Sequence, residues 1–262
     1  MTSGGWAGPI VPRYVADDVQ DRLVTAIALG VYVPGQRLPT ERELTAMLGV
    51  SRTSVRGALQ HMTDSGYLEV RRGRNGGYFV LADWGPDSAE HVSRHLVPNW
   101  AEFEALFDAR TLIEPLIART AAERCTAADV TAINEALEAY LVAPDHDASR
   151  LADYALHHAI ATVTKNPILV ETSVELRARI SLNLGAEPYT DAVRLQAVEQ
   201  HRQLVEAVTG HRAEVAADVA ADHFTLSEGL IRSLVQRARA EDERSANGSA
   251  PAGDVRGAGV DR

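Results

Sequence analysis

Residues 34–80 read PGQRLPTERELTAMLGVSRTSVRGALQHMTDSGYLEVRRGRNGGYFV, and the helix and turn signals in this segment predict the architecture of the N-terminal part of the chain. Thr40 followed by Glu43 is a capping-box pattern that predicts the start of a short helix, and Gly49 predicts its end. Ser51 predicts the cap of the next helix. The apolar residues of that helix repeat at intervals of three and four and should face the core: Val55, Ala58, Leu59 and Met62.

One more helix is predicted before this stretch, and two strands at its end. Residues Tyr14 to Leu29 place apolar side chains at helical spacing, with aspartates near the helix start, where the macrodipole favours anions. After Gly66, the segments YLEV and YFV are typical of short strands around a basic, glycine-rich tip, RRGRNGG. Three helices and a hairpin predict a winged helix-turn-helix. Hydrogen-bond donors on the outer face of its third helix suit a major groove: Arg52, Thr53, Ser54 and Arg56.

Residues 34–80 resemble the DNA-binding domain of the GntR superfamily over their whole length. The resemblance implies that DNA is contacted from α-helical and wing positions: Arg42, Ser51, Arg52, Thr53, Ser54, Arg56, Arg72 and Gly73. The guanidinium groups of Arg52 and Arg56 suit guanine or phosphate, although exposed arginines can also form a merely solvated helix face. The family usually has glutamate at position Gly57. A glycine inside a helix costs about 1 kcal/mol relative to alanine, so a softer recognition helix is expected.

Charge is distributed unevenly over the 262 residues, whose net charge is −10. From Arg37 to Arg74 there are seven arginines and four acidic residues, a local charge of +3, which leaves −13 for the remainder. This pattern indicates a DNA-reading module attached to a part that does not touch DNA. The single cysteine excludes an internal disulfide. No apolar run approaches about 18 residues and the start does not read as a signal peptide, so a cytoplasmic protein without a membrane partner is expected.

From Ser88 to about Ala240 the pattern is helical throughout. The predicted helices run over Trp100–Arg124, Ala127–Val142, Ala148–Lys165, Ile168–Leu184, Asp191–Thr209 and Arg212–Ala240. The expected fold is therefore mainly α, with an N-terminal winged helix-turn-helix and a C-terminal antiparallel all-α bundle. The expected division is a flexible N-terminus (1–12), the DNA-binding domain (13–82), a linker (83–99), an effector-binding and dimerisation domain (100–240) and a disordered tail (241–262).

Four polar residues of the helical part form a candidate metal site. Asp153 and His157 are four residues apart and share one helix face, while His201 and His223 lie on later helices. If these faces converge, they suit a divalent ion, with zinc as the first candidate and nickel or manganese as alternatives. Such pairs also arise by chance among nine histidines, so spacing alone leaves the site open.

Three segments of the helical part resemble the effector domain of the FadR subfamily of GntR regulators: FDARTLIEPLIARTAAER, LADYALHHAIATVTKNP and EQHRQLVEAVTGHRAEVAADVAADHF. This resemblance implies that Asp153, His157, His201 and His223 hold a divalent metal and that Arg110 faces the ligand cavity. A buried guanidinium beside a metal favours a carboxylate-bearing effector. Arg177 and Asn183 are further candidates for effector binding, or they simply face solvent.

Together these features predict a transcription regulator rather than an enzyme. A homodimer would bind a palindromic operator, and a small organic acid would release the dimer from the DNA. The protein would then act as a repressor, with activation as the alternative. Two rival functions concern the metal, which could be structural or could serve a metallohydrolase with Glu199 as base. Residues two apart on a helix point to different faces, so Glu199 should not share a cavity with His201.

Overall fold

The structure is a computed structural model, and it describes residues 14–85, 87–181 and 191–248. In chain order the helices and strands of these ranges are α1 (Val15–Ala28), α2 (Glu41–Leu48), α3 (Arg52–Asp64), β1 (Leu68–Arg71), β2 (Gly77–Val80), α4 (Ser88–Leu96), α5 (Trp100–Arg124), α6 (Ala127–Leu141), α7 (His146–Val163), α8 (Pro167–Ile180), α9 (Asp191–Thr209) and α10 (Ala213–Gly248).

Helices α1 to α3 and the two strands form the predicted winged helix-turn-helix. Thr40 and Glu43 make the expected capping box at the start of α2, and Gly49 ends that helix with a φ of 66°, a conformation that glycine adopts without strain. The four predicted core positions of α3 are fully buried. β1 and β2 pair antiparallel with Arg71 opposite Gly77, which places residues 72–76 at the tip of the wing.

Residues 83–99, for which a linker was expected, contain helix α4. Val92 and Leu96, four residues apart, are fully buried in a hydrophobic cluster that also contains Leu23 of α1 and Val235 of α10. A single apolar core therefore runs from the winged domain through α4 into the helical part.

Helices α5 to α10 confirm an all-helical C-terminal part. α10 packs along α5 and α9, α6 packs along α7, and these helices surround a second hydrophobic cluster. Helices α5 and α9 have the predicted bounds, whereas α10 continues to Gly248, beyond residue 240 where the predicted helix stops. Within the described ranges, none of the helices combines the length and the apolar content needed to cross a membrane.

A buried polar cluster fixes α1 to α4. The Asp21 side chain is almost completely buried, and its Oδ1 lies 2.6 Å from His91 Nδ1. Arg94 Nη2 donates a hydrogen bond to the same oxygen at 3.0 Å. Nearby, the Tyr67 hydroxyl lies 2.9 Å from Ser88 Oγ at the start of α4. A buried carboxylate is stable only when it is paired and hydrogen-bonded. Helix α4 supplies these partners to Asp21 of α1, in addition to its apolar packing against the winged domain.

A second polar contact joins α7 to the winged domain. His146 Nε2 lies 2.9 Å from the carbonyl oxygen of Gly30, and Arg150 Nη1 donates to the carbonyl oxygen of Val31 at 2.5 Å. The Arg150 guanidinium also lies over the Tyr32 ring, 5.6 Å from its centroid. The first turns of α7 therefore hold the backbone that follows α1.

Candidate DNA-binding face and metal centre

The predicted DNA contacts occupy an exposed face of α3 and the tip of the wing. Burial of Val55 and Leu59 turns the opposite side of α3 outward. Of the eight predicted residues, Ser54 is half-buried and the others are exposed: Arg42, Ser51, Arg52, Thr53, Arg56, Arg72 and Gly73. The face is thus free to approach a duplex, and the individual DNA contacts stay predictions.

Two side chains of this face already have partners within the chain. Ser51 Oγ accepts a hydrogen bond from the Ser54 backbone N–H at 3.1 Å, so Ser51 is the predicted cap of α3. Arg56 donates to Glu41 through Nε at 3.2 Å and Nη2 at 2.8 Å. Nothing in the local pattern of α3 indicates this ion pair, because Glu41 lies at the start of α2, across the turn.

The four predicted metal ligands converge in the helical part. Asp153 and His157 come from α7, His201 from α9 and His223 from α10, and one ligand atom from each lies within 4.8 Å of the others. The Nε2 atoms of the three histidines are 3.1 Å apart in all three pairs. Asp153 Oδ1 lies 3.4 Å from His201 Nε2 and 3.9 Å from His157 Nε2. The convergence that the sequence left open is confirmed.

Burial keeps these imidazoles in the form that binds metals. Desolvation, followed by the charge of neighbouring groups, holds the pKa of His157 and His201 well below the ordinary value. The same burial, with the nearby charges of Arg110 and Arg177, lowers the pKa of His223 to about 3. A neutral imidazole presents a lone pair to a cation.

The spacing of the donors fits a shared ion. Three nitrogens that are 3.1 Å apart subtend about 95° at an ion about 2.1 Å from each of them. If all three imidazoles carry their proton on Nδ1, three Nε2 lone pairs face one another, and a cation between them removes their repulsion. His223 Nδ1 lies 3.1 Å from Gln200 Oε1, and donation from that nitrogen leaves Nε2 bare for the ion. The quartet therefore suits a divalent metal, with positions left for other oxygen ligands.

Gln200 is a site residue that the sequence did not reveal. It precedes His201 on α9 but contacts His223 on α10, and only the packing of the two helices brings them together. Glu199 is exposed and bonded to Gln203, as expected for a residue on a different face from His201.

The two predicted effector-binding arginines are both buried, but their surroundings differ. Arg110 Nη2 donates to the carbonyl oxygen of Phe224 and to Ser227 Oγ, each at 2.9 Å. None of the three guanidinium nitrogens of Arg177 has a hydrogen-bond partner among the described residues. Asn183, the third candidate, lies outside the described residues.

A cavity of about 310 Å³ opens at the junction of the two parts, between α1 and α4. Asp18, Arg22 and Arg94 supply polar groups to its wall. None of the described residues that line it comes from α7, α9 or α10, so this cavity is separate from the histidine cluster.

Comparison with known proteins assigns both parts of the chain. Residues 15–80 match the family of bacterial regulatory proteins called gntR, and residues 105–226 match the FCD domain. A protein of Mycobacterium gastri named as an HTH-type transcriptional regulator, RmpR, is 31% identical over 80% of this chain and 77% of its own length.

Two Escherichia coli (strain K12) proteins are also similar over most of their length. A protein named as an L-lactate dehydrogenase operon regulatory protein is 30% identical over 82% of this chain and 86% of its own length. The galactonate operon transcriptional repressor is 28% identical over 82% of this chain and 97% of its own length.

Proposed function

The chain belongs to the GntR family of bacterial regulatory proteins, and we propose that it is a metabolite-responsive repressor. A homodimer binds a palindromic operator through α3 and the wing. A small carboxylate, bound beside a divalent metal in the FCD domain, releases the dimer from the operator. Asp153, His157, His201 and His223 would hold the metal, which would supply a positive charge for an oxygen of the effector.

The observation that carries this proposal is the concentration of metal-binding and anion-binding groups in the interior of the FCD domain. Three neutral imidazoles and a carboxylate converge there, and two buried guanidinium groups, those of Arg110 and Arg177, lower the pKa of His157 and His223 from nearby. A buried cationic environment beside an ion favours an acid over a neutral ligand. Two relatives carry names that refer to L-lactate and galactonate, which are both hydroxy acids.

The dimer is supported by an apolar pair on α5. Leu112 and Leu116, one helical turn apart, are 67% and 47% exposed in the single chain. A two-fold symmetric dimer would present two recognition helices to the two halves of a palindrome. Sedimentation velocity tests this point, and a protein that remains a monomer at micromolar concentration contradicts it.

Zinc is the first candidate for the ion, and the ligand angle of about 95° also suits nickel or manganese. A metallohydrolase is disfavoured because its candidate base, Glu199, is exposed and hydrogen-bonded to Gln203. Metal analysis of protein purified without added ions identifies the resident metal.

Selection of duplexes from a random pool, at physiological salt, tests the DNA-binding function. The wild-type protein should enrich a two-fold symmetric sequence, and Arg52→Ala should weaken binding to it and lower the slope of log K against log salt by about 1. The Arg212→Ala variant, altered between α9 and α10 and outside the winged domain, is the matched control. If the wild type prefers no sequence over random duplex, the proposal is wrong.

The sensing function is tested on the selected duplex. Metal-loaded protein is titrated with L-lactate and D-galactonate, and fluorescence anisotropy reports release of the duplex. Release supports a sensor, whereas DNA binding that no organic acid alters contradicts it. A reporter gene placed behind the same duplex separates repression from activation.

A further inference from the structure

Arg177 has an unusual environment for an arginine. Its side chain is on α8 and only 4% of the residue is exposed, yet Nε, Nη1 and Nη2 all lack a hydrogen-bond partner among the described residues. A guanidinium has five N–H groups and keeps its charge at any physiological pH. A buried, unpaired cation is strongly destabilising, so this environment is explained most simply by a partner that arrives from outside.

The position of Arg177 ties it to the metal centre. Its guanidinium lies 4.9 Å from the centroid of the Tyr154 ring on α7. Tyr154 is flanked on that helix by Asp153 and, one turn later, by His157. The unpaired cation therefore packs against the helix that carries two of the proposed metal ligands.

Arg110 is different, although it is even more deeply buried, with 1% exposure. Its Nη2 bonds the Phe224 carbonyl and the Ser227 hydroxyl of α10, so it holds α5 against α10. A ligand that used this nitrogen would have to break contacts that support the helix bearing His223. Of the two arginines, Arg177 is the one with unused donors.

From this contrast we propose that Arg177 is the receptor for the carboxylate of the effector, and that Arg110 is a positioning residue for α10. This inference rests on the proposed sensing function and narrows its ligand class. The effector carries a carboxylate for Arg177 and a second oxygen that can reach the ion, as hydroxy acids and oxo acids do. A neutral sugar or alcohol lacks the anion and is excluded.

The first test needs no ligand. Arg177→Met removes an unpaired charge and keeps an extended apolar side chain, so the melting temperature of the metal-loaded protein should stay level or rise. Arg110→Met breaks existing hydrogen bonds and should lower the melting temperature. If Arg177→Met lowers it as much as Arg110→Met does, Arg177 already has partners and the inference is overturned.

The second test uses anions as probes. L-lactate, D-galactonate and inorganic phosphate are each added at tens of millimolar to metal-loaded protein at constant ionic strength. We expect at least one of these anions to raise the melting temperature of the wild type. Arg177→Met loses a charge-assisted contact, so its affinity for that anion should be about 10- to 100-fold weaker. Glycerol, as a neutral polyol, should leave both proteins unchanged.

Each other outcome counts against the inference. Equal stabilisation of wild type and Arg177→Met, or no response of the wild type to any of the anions, overturns it. Release of the selected duplex by an acid, to the same extent in both proteins, also overturns it but leaves the sensing function intact. If the wild type selects no duplex, the regulatory function fails, and the anion titration still decides the role of Arg177.

Discussion

Glu41 at the start of α2 holds Arg56 of α3 through both of its carboxylate oxygens. The pair lies on the surface, and its hydrogen bonds and charge lower the pKa of Glu41 and raise that of Arg56. Exposed pairs of this kind contribute little to stability, about 0.2–1 kcal/mol. We therefore expect the main effect of this pair to be the orientation of the Arg56 guanidinium.

Glu41→Gln should therefore reduce discrimination between operator and random duplex. The freed Arg56 can pair with any phosphate, and the loss of one negative charge at the DNA face increases non-specific binding. We expect the ratio of the two dissociation constants to fall by up to about fivefold, as measured by fluorescence anisotropy. Glu206→Gln breaks a comparable exposed pair with Arg212, outside the winged domain, and should leave the ratio unchanged.

Removal of the metal should separate sensing from folding. Neither hydrophobic cluster includes one of the four candidate metal ligands, so we expect chelated protein to keep its helical circular dichroism while its melting temperature falls. Its DNA binding should no longer respond to organic acids. If chelation abolishes the helical signal, the metal is structural, as in domains that fold only around their ion.

Gln200→Ala should weaken metal binding without changing any ligand. Gln200 Oε1 faces His223 Nδ1, and partners of this kind typically account for about 10- to 100-fold in metal affinity. Competition with a chelator of known affinity measures the change. Gln203→Ala is a matched control on the same helix, because that side chain is exposed and donates a hydrogen bond to the exposed Glu199.

Arg150→Ala should uncouple the effector from DNA release. Arg150 bonds the Val31 carbonyl, and it lies on the same helix as Asp153 and His157, so we expect a shift of α7 at the proposed metal site to reach the winged domain through this contact. The variant should bind metal and acid as the wild type does, yet retain the duplex when acid is added. Arg119→Ala, which breaks an exposed pair with Glu214, should still release it. Full release by Arg150→Ala contradicts this route.

Gly57→Ala should stabilise the protein. A Cβ at this position would meet Ala16 Cβ at 3.6 Å, an ordinary contact, so the helix gains up to about 1 kcal/mol of unfolding free energy from reduced chain entropy. Urea unfolding measures the gain. Gly66→Ala provides the contrast, because the φ of +78° at Gly66 strains any other residue and should lower stability. A destabilised Gly57→Ala protein would mean that α3 cannot tolerate the closer packing.

Local chemistry explains which features could be predicted from the sequence. The caps at Thr40 and Ser51 and the buried stripe of α3 depend on neighbours along one helix, and all of them are confirmed. The set of four candidate metal ligands needed the resemblance to a known family, because spacing within α7 says nothing about the positions of α9 and α10.

The remaining features depend on contacts between distant segments. Gln200 faces His223 because α9 packs on α10, and Arg177 lacks partners because of what surrounds α8. The burial of α4 likewise follows from the surfaces that α1 and α10 offer to it. Charge and periodicity along the chain do not indicate which distant segments come into contact.

The buried Asp21 carboxylate determines where this protein can be divided and recombined with its relatives. A chimera joined before Ser88 would leave Asp21 without His91 and Arg94 of its own α4, and the Tyr67 hydroxyl without Ser88. A junction at residues 97–99, between α4 and α5, keeps all of these pairs within one parent. A chimera should therefore exchange the winged domain and α4 together, as one unit.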